Sequence, residues 1–369
     1  MKKYKPTYPA AVAALTALGA IYSSQTMAEN WADKVTIGGF ASAVYQVSDQ
    51  ATQFNGESGV TEDGAFQGTR MGININARLD DNLTLFSQLL ATQEDNDYRT
   101  DLDWAFISYK AGNEWQLRAG KIKFPAGLVN EYVSVGTLYP WIAPPALFYS
   151  ADMAGPQVTR EAYTGFSAVW ERNLGDWTVS SDIYAGEVSL PPFKAEATST
   201  LLSTYTVRKL TGLTLKADWN DTFQLQATTF SGTMDIPDRP PMDGEKHSST
   251  LVGAKMDWNN IVGYAEWADV KMGSAKMGAG TSWYTTLGYR IDRWLPNITY
   301  QYFDKGLDTA DLKQEQNMTT YGVKYALTRN ASLKFEYSTI ETVQGQGLFA
   351  GPVVDKSSDM YGVAIDVTF

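Results

Sequence analysis

The chain has no cysteine in 369 residues and a single histidine, His247. The first absence excludes disulfides and thiolate metal sites, so stability must come from hydrogen bonding and packing. The second counts against hydrolases that use histidine as proton carrier, because His247 is expected in a long exposed loop beside Lys246 and Ser248 with no obvious partner. Long apolar runs are missing too. The run from Ala10 to Tyr22 is 13 residues, short of a bilayer-spanning helix, and no later stretch reaches about 18. Helical periodicity is nowhere sustained. A helical membrane protein is thereby excluded, whereas a membrane β-barrel is not, because its strands alternate in polarity.

At the start, Lys2, Lys3 and Lys5 precede the apolar run, and Thr26, Met27 and Ala28 follow it. This order predicts a signal peptide over residues 1–28 and one domain over residues 29–369. Cleavage there removes three of the 30 basic residues and no acid, leaving 27 basic against 41 acidic side chains. Such an acidic chain excludes nucleic acid as a partner.

What is present is period-2 alternation in segments of about ten residues from Val35 to the last residue. Met71, Ile73, Ile75, Ala77 and Leu79 share one face, against Gly72, Asn74, Asn76 and Arg78 on the other. Leu333, Phe335 and Tyr337 stand likewise against Lys334, Glu336 and Ser338, and Leu213, Leu215, Ala217 and Trp219 against Lys216 and Asp218. One face suits lipid and the other water.

Seven short connectors, at 80–82, 111–114, 173–175, 220–221, 259–260, 291–293 and 327–330, have turn composition. Between them lie eight longer polar segments, at 49–67, 93–100, 122–160, 187–211, 233–247, 271–281, 305–317 and 342–358. Seven turns alternating with eight loops join 16 strands, with the short turns on the periplasmic rim. Trp115, Trp177, Trp219, Trp258 and Trp294 all lie at or beside short turns, where an interfacial aromatic belt belongs. The last strand alternates through Tyr361, Val363, Ile365 and Val367 and ends on Phe369.

The third loop, 122–160, stands apart, with 39 residues, five of them proline, and the aromatic residues Tyr139, Trp141, Phe148 and Tyr149. Loops of this length are commonly functional. Its apolar rings would be costly to leave in solvent, which predicts that it folds inward against the wall.

In its strand and loop order the chain resembles the general bacterial porins of Gram-negative outer membranes. The resemblance implies an all-β fold, a 16-stranded antiparallel transmembrane β-barrel with an inward-folded third loop, assembled as a homotrimer in the outer membrane. It implies a passive diffusion channel for small hydrophilic solutes and ions. It further implies that Phe369 closes the strand presented to the barrel-assembly machinery, and that basic wall residues face acids on the loop across a constriction. Arg70 opens the second strand as an arginine does in that family, and Lys121 follows Gly120 just before the third loop. Arg160 precedes the sixth strand, and Arg118 and Lys123 flank Lys121. Glu131 and Asp152 are the acidic candidates, although the family's acidic loop tip has no recognisable counterpart. Strict alternation from Trp115 points Lys121 outward, so a bulge is needed to bring it in.

Two readings stay open, a general sieve and a substrate-specific channel with a saturable aromatic and charged site. No cofactor, metal or catalytic residue is expected. Acids such as Asp95, Asp97, Asp101, Asp243 and Glu245 read as solvated loop charges, and the acidic balance predicts a modest cation preference. A plugged transporter of about 22 strands fails on length, since only Glu29 to Lys34 precede the first strand.

Overall fold

The computed structural model describes residues 34–54, 59–94, 97–149, 162–190, 205–237, 243–273, 279–306, 313–351 and 355–369. Sixteen strands dominate it. They are β1 (Val35–Ser48), β2 (Arg70–Arg78), β3 (Leu83–Glu94), β4 (Asp97–Ala111), β5 (Trp115–Lys123), β6 (Ala162–Leu174), β7 (Trp177–Leu190) and β8 (Tyr205–Trp219), followed by β9 (Phe223–Asp235), β10 (Lys246–Trp258), β11 (Ile261–Met272), β12 (Gly280–Tyr289), β13 (Trp294–Lys305), β14 (Gln314–Ala326), β15 (Ala331–Gln344) and β16 (Ser357–Thr368). Each pairs antiparallel with its sequence neighbours, and β1 closes on β16 from Phe40↔Thr368 to Ser48↔Met360. Closure leaves no sheet edge, the condition for a strand to cross lipid.

The predicted alternation becomes two faces. Met71, Leu117, Phe166, Ile183, Leu287 and Phe335 stand exposed on the outer one, while Ser, Thr, Gln and charged residues are buried on the other. Exposed large apolar side chains in register across a closed sheet form the lipid-facing band. The five turn-flanking tryptophans are all exposed, and Trp177 lies directly opposite Trp219. At the seam, the N–H of Gly39 donates to the Phe369 carbonyl at 2.9 Å and the Phe369 N–H to the Gly39 carbonyl at 3.0 Å.

The turns follow residue chemistry. Asn220 and Asp221 have φ of 49° and 56°, and Asn259 and Asn260 have 46° and 71°. This left-handed pair of residues matches strand twist in a two-residue hairpin, and Asn and Asp tolerate it better than other side chains.

Two loop expectations need correction. The stretch 93–100 is largely strand, because β3 runs to Glu94 and β4 restarts at Asp97. Its polar residues read as loop because the strands outrun the apolar band, so alternation ends before pairing does. In 187–211, β7 and β8 claim both flanks, with a register shift between Arg208 and Thr211 where Lys209 takes φ 52°. Residues 1–28, with the expected signal peptide, lie outside the described residues.

Candidate functional site

Residues 124–149 leave the end of β5 and return as two single-turn 3₁₀ segments, Asn130–Tyr132 and Gly136–Leu138, and one helical turn, α1 (Ala146–Tyr149). Short helical turns satisfy backbone groups locally where the chain cannot pair with a strand. The remaining backbone groups are taken by side chains of the polar wall. The Pro125 carbonyl accepts from the hydroxyls of Thr214 at 2.9 Å and Thr228 at 3.1 Å, and from Gln226 Nε2 at 3.1 Å. The Leu128 N–H donates to Glu266 Oε1 at 2.7 Å, the Ile142 N–H to Glu336 Oε1 at 2.8 Å and the Leu147 N–H to Gln301 Oε1 at 3.0 Å.

Two lysines hold the middle of the segment. Lys324 Nζ donates to the Thr137 carbonyl at 2.6 Å. Lys334 Nζ, fully buried, donates to the carbonyls of Gly136, at 2.6 Å, and Trp141, and pairs with Asp366 at 3.0 Å. The Ser42 hydroxyl also donates to Asp366, at 2.6 Å. Gly136 is required here, since a Cβ at that position would lie 1.9 Å from Asp366 Oδ1. Arg70 completes the ties, donating to the Ser134 carbonyl at 2.7 Å and to the Tyr139 hydroxyl at 2.6 Å. These anchors come from β2 and from strands between β8 and β16, and all of them use the face opposite the lipid-facing band.

The loop aromatics are buried against that wall. Tyr139, Trp141 and Phe148 are at most 2 % exposed. Trp141 packs 4.8 Å from Tyr264 and 5.7 Å from Tyr284, ring centre to ring centre, and its Nε1 donates to the hydroxyls of Thr286 and Thr299. Phe148 lies 5.3 Å from Tyr284. The hydroxyls of Tyr149 and Tyr284 both donate to Glu266. Burial, then the Glu266 charge, holds the Tyr149 hydroxyl well above its ordinary pKa, so it keeps its proton and stays a donor. Tyr139, Trp141 and Phe148 turn away from any solute path in this packing, while Tyr149 is half-buried. They attach the loop to the wall.

The charges expected at a constriction separate. Glu131 pairs with Lys216 of β8 rather than with Arg70 or Lys121. Burial alone would raise its pKa, but Lys216, with Arg118 and Lys123 adding, keeps the carboxyl below the usual range. Lys123 pairs with Asp103 of β4 at 3.0 Å, and Arg118 lies 4.0 Å from Asp182 of β7. Lys121 is register partner of Thr164 and shares the outer face with Leu117 and Phe166. Its amine donates to the Leu102 carbonyl, so no bulge brings it inward. Asp152 and Arg160 lie outside the described residues.

Alternation assigned Lys216, Lys334 and Glu336 to the polar face, yet nothing in a strand's pattern says where a distant loop lands. Asp103 and Glu266 went unrecognised for the same reason. No group of three or more His, Cys, Asp or Glu residues able to hold a metal occurs among the described residues.

The sequence matches the model of the Gram-negative porins over residues 11–345. A comparison with curated protein sequences gives no match. Among solved structures, OmpF of Salmonella typhi in complex with daunomycin is 16% identical at a TM-score of 0.58, over 91% of this chain and 97% of that one. The trimer form of in-vitro folded OmpT of Vibrio cholerae is 11% identical at 0.58, over 91% and 100%. An anion-selective porin from Comamonas acidovorans is 13% identical at 0.57, over 91% and 99%.

Proposed function

Because the chain belongs to the Gram-negative porin family and is a passive channel of the outer membrane, we propose that its solute path runs past residues 124–149 on the side of β3 to β5. The carrying observation is the distribution of anchors, which tie the segment to β2 and to strands from β8 onward and leave Arg118, Lys123 and Asp103 on the remaining side, from which the two cations act on Glu131. In this reading the segment is the constriction, and opposed charges across it orient water and dipolar solutes while penalising apolar ones. Arg70 acts by fixing the loop. Lys121 contributes to the outer face alone.

The chain acts as a channel and not as an enzyme. In support, His247 lies not in an exposed loop, as its polar neighbours suggested, but in β10, fully buried with its ring 5.8 Å from that of Phe230. We propose a homotrimer, as in the trimer form of OmpT, and Phe369 as the residue that the barrel-assembly machinery reads. Liposome swelling tests the pore. Rates should fall steadily as solutes grow from pentose to trisaccharide, and an absence of swelling with the smallest sugar would contradict it.

Glu131 makes a pH-specific prediction. Its folded-state pKa lies below the unfolded value, so its charge persists through the ordinary carboxylate range and is lost only as pH falls through the lower value. Glu131→Gln should therefore shift the reversal potential in a salt gradient toward anions by the same amount at pH 4.5 and pH 7. A difference that has halved by pH 4.5 would show an ordinary carboxyl.

A further inference from the structure

A strip of aromatic rings lies on the wall that bears none of the loop's anchors. Phe86 of β3 and Phe106 of β4 are register partners, their rings stacked at 5.2 Å and 22°. Trp104 continues the strip 5.8 Å from Phe106, and the Arg118 guanidinium lies 5.8 Å over the Phe106 ring. Register also puts these residues on the polar face. Phe86 is opposite Asn76, Gln88 is opposite both Asn74 and Trp104, and Phe106 is opposite Gly120. Unlike Tyr139, Trp141 and Phe148, the three rings are only half-buried.

Two observations say what such a strip could hold. First, Asn74 Oδ1, Asn76 Oδ1 and Trp104 Nε1 are buried polar atoms with no hydrogen-bond partner among the described residues. Such atoms need water or a ligand. Second, the neighbouring charges are matched: Lys123 pairs with Asp103 at 3.0 Å, Gln88 Nε2 donates to Asp103 at 2.6 Å, and Arg118 faces Asp182 at 4.0 Å. Neither sign is in surplus, and donors and acceptors edge an apolar surface. A pyranose ring has the complementary chemistry, with a C–H face to lay on the rings and hydroxyls at its rim for amides and carboxylates. An aromatic carboxylate would need Arg118, which already faces Asp182. An organic amine would meet Arg118 and Lys123.

We propose that Phe86, Trp104 and Phe106 form a subsite for neutral sugars on the pore wall, where a pyranose stacks and slides past the constriction. This rests on the pore reading above and makes the channel saturable for one solute class.

The test titrates ion current through the refolded protein in planar bilayers with maltotriose, with sodium benzoate as the comparison. Maltotriose should reduce the current saturably, and Phe106→Leu should raise the half-blocking concentration about tenfold, equivalent to about 1.4 kcal/mol. Leucine keeps apolar volume but has no ring face, and Trp104→Leu supplies the same comparison if the first variant fails to fold. A current that falls linearly with sugar, alike in wild type and variants, overturns the subsite, as does saturable block by benzoate alone. Absence of any ion current would instead contradict the pore reading itself.

Discussion

Lys334→Met should destabilise the folded protein by about 3–5 kcal/mol, the range for removing one partner of a buried ion pair, and should raise single-channel conductance. The side chain is fully buried, pairs with Asp366 at 3.0 Å and donates to the carbonyls of Gly136 and Trp141. Methionine fills much of the stem's volume but leaves a buried carboxylate with the Ser42 hydroxyl as its remaining described donor. The loop carbonyls are orphaned as well, which frees the middle of residues 124–149. A second variant separates the two effects. Lys334→Met combined with Asp366→Leu removes the orphan charge and should recover most of the stability, while conductance stays raised because the carbonyls remain unheld. Thermal midpoints of the heat-shifted gel mobility, read beside conductance, check both. Unchanged conductance in both variants would show that Lys334 does not position the loop.

Trp141→Ala should cost about 3–5 kcal/mol in loop attachment, as large aromatic truncations in packed interiors do. Trp141 is 2% exposed and wedged against Tyr264 and Tyr284. Its removal opens a cavity and strands the Thr286 and Thr299 hydroxyls, 2.8 Å apart, without their shared donor. The strands keep their ladder, so the barrel should persist in detergent while open-channel noise rises and protease cuts the loop. Protease resistance equal to wild type would contradict this role.

Much of this was legible in the chain. Period-2 alternation at Met71 to Leu79 and Leu333 to Tyr337 assigned the lipid face, because a strand's side-chain period is set by its own backbone. Turn residues such as Asn259 and Asn260 marked the tight rim for an equally local reason. The aromatic third loop was legible as a segment that must bury itself. Its landing site was not, because Lys334 and Gly136 are 198 residues apart and come together only when the barrel closes. Lys121 shows the opposite case, where alternation pointed outward and the structure agrees against the family pattern. The aromatic strip hid in the run Trp104, Ala105, Phe106 and Ile107, where alternation fails. A register irregularity between Gln88 and Leu89 accompanies that failure, with Asp103 as the extra residue on the β4 side. A break of period inside a membrane strand signals an inner face doing something other than holding water.

On the proposed reading, residues 124–149 cover one side of the lumen and leave the β3–β5 wall open to solutes. A chain without cysteine allows the most direct test, single introduced cysteines exposed to a charged methanethiosulfonate during single-channel recording. Asn76→Cys, beside the aromatic strip, should react and reduce the current in discrete steps. Thr228→Cys, whose native hydroxyl donates to the Pro125 carbonyl under the loop, should leave the current unchanged. Reaction at Thr228→Cys with none at Asn76→Cys would put the path on the other side of the loop and contradict the account.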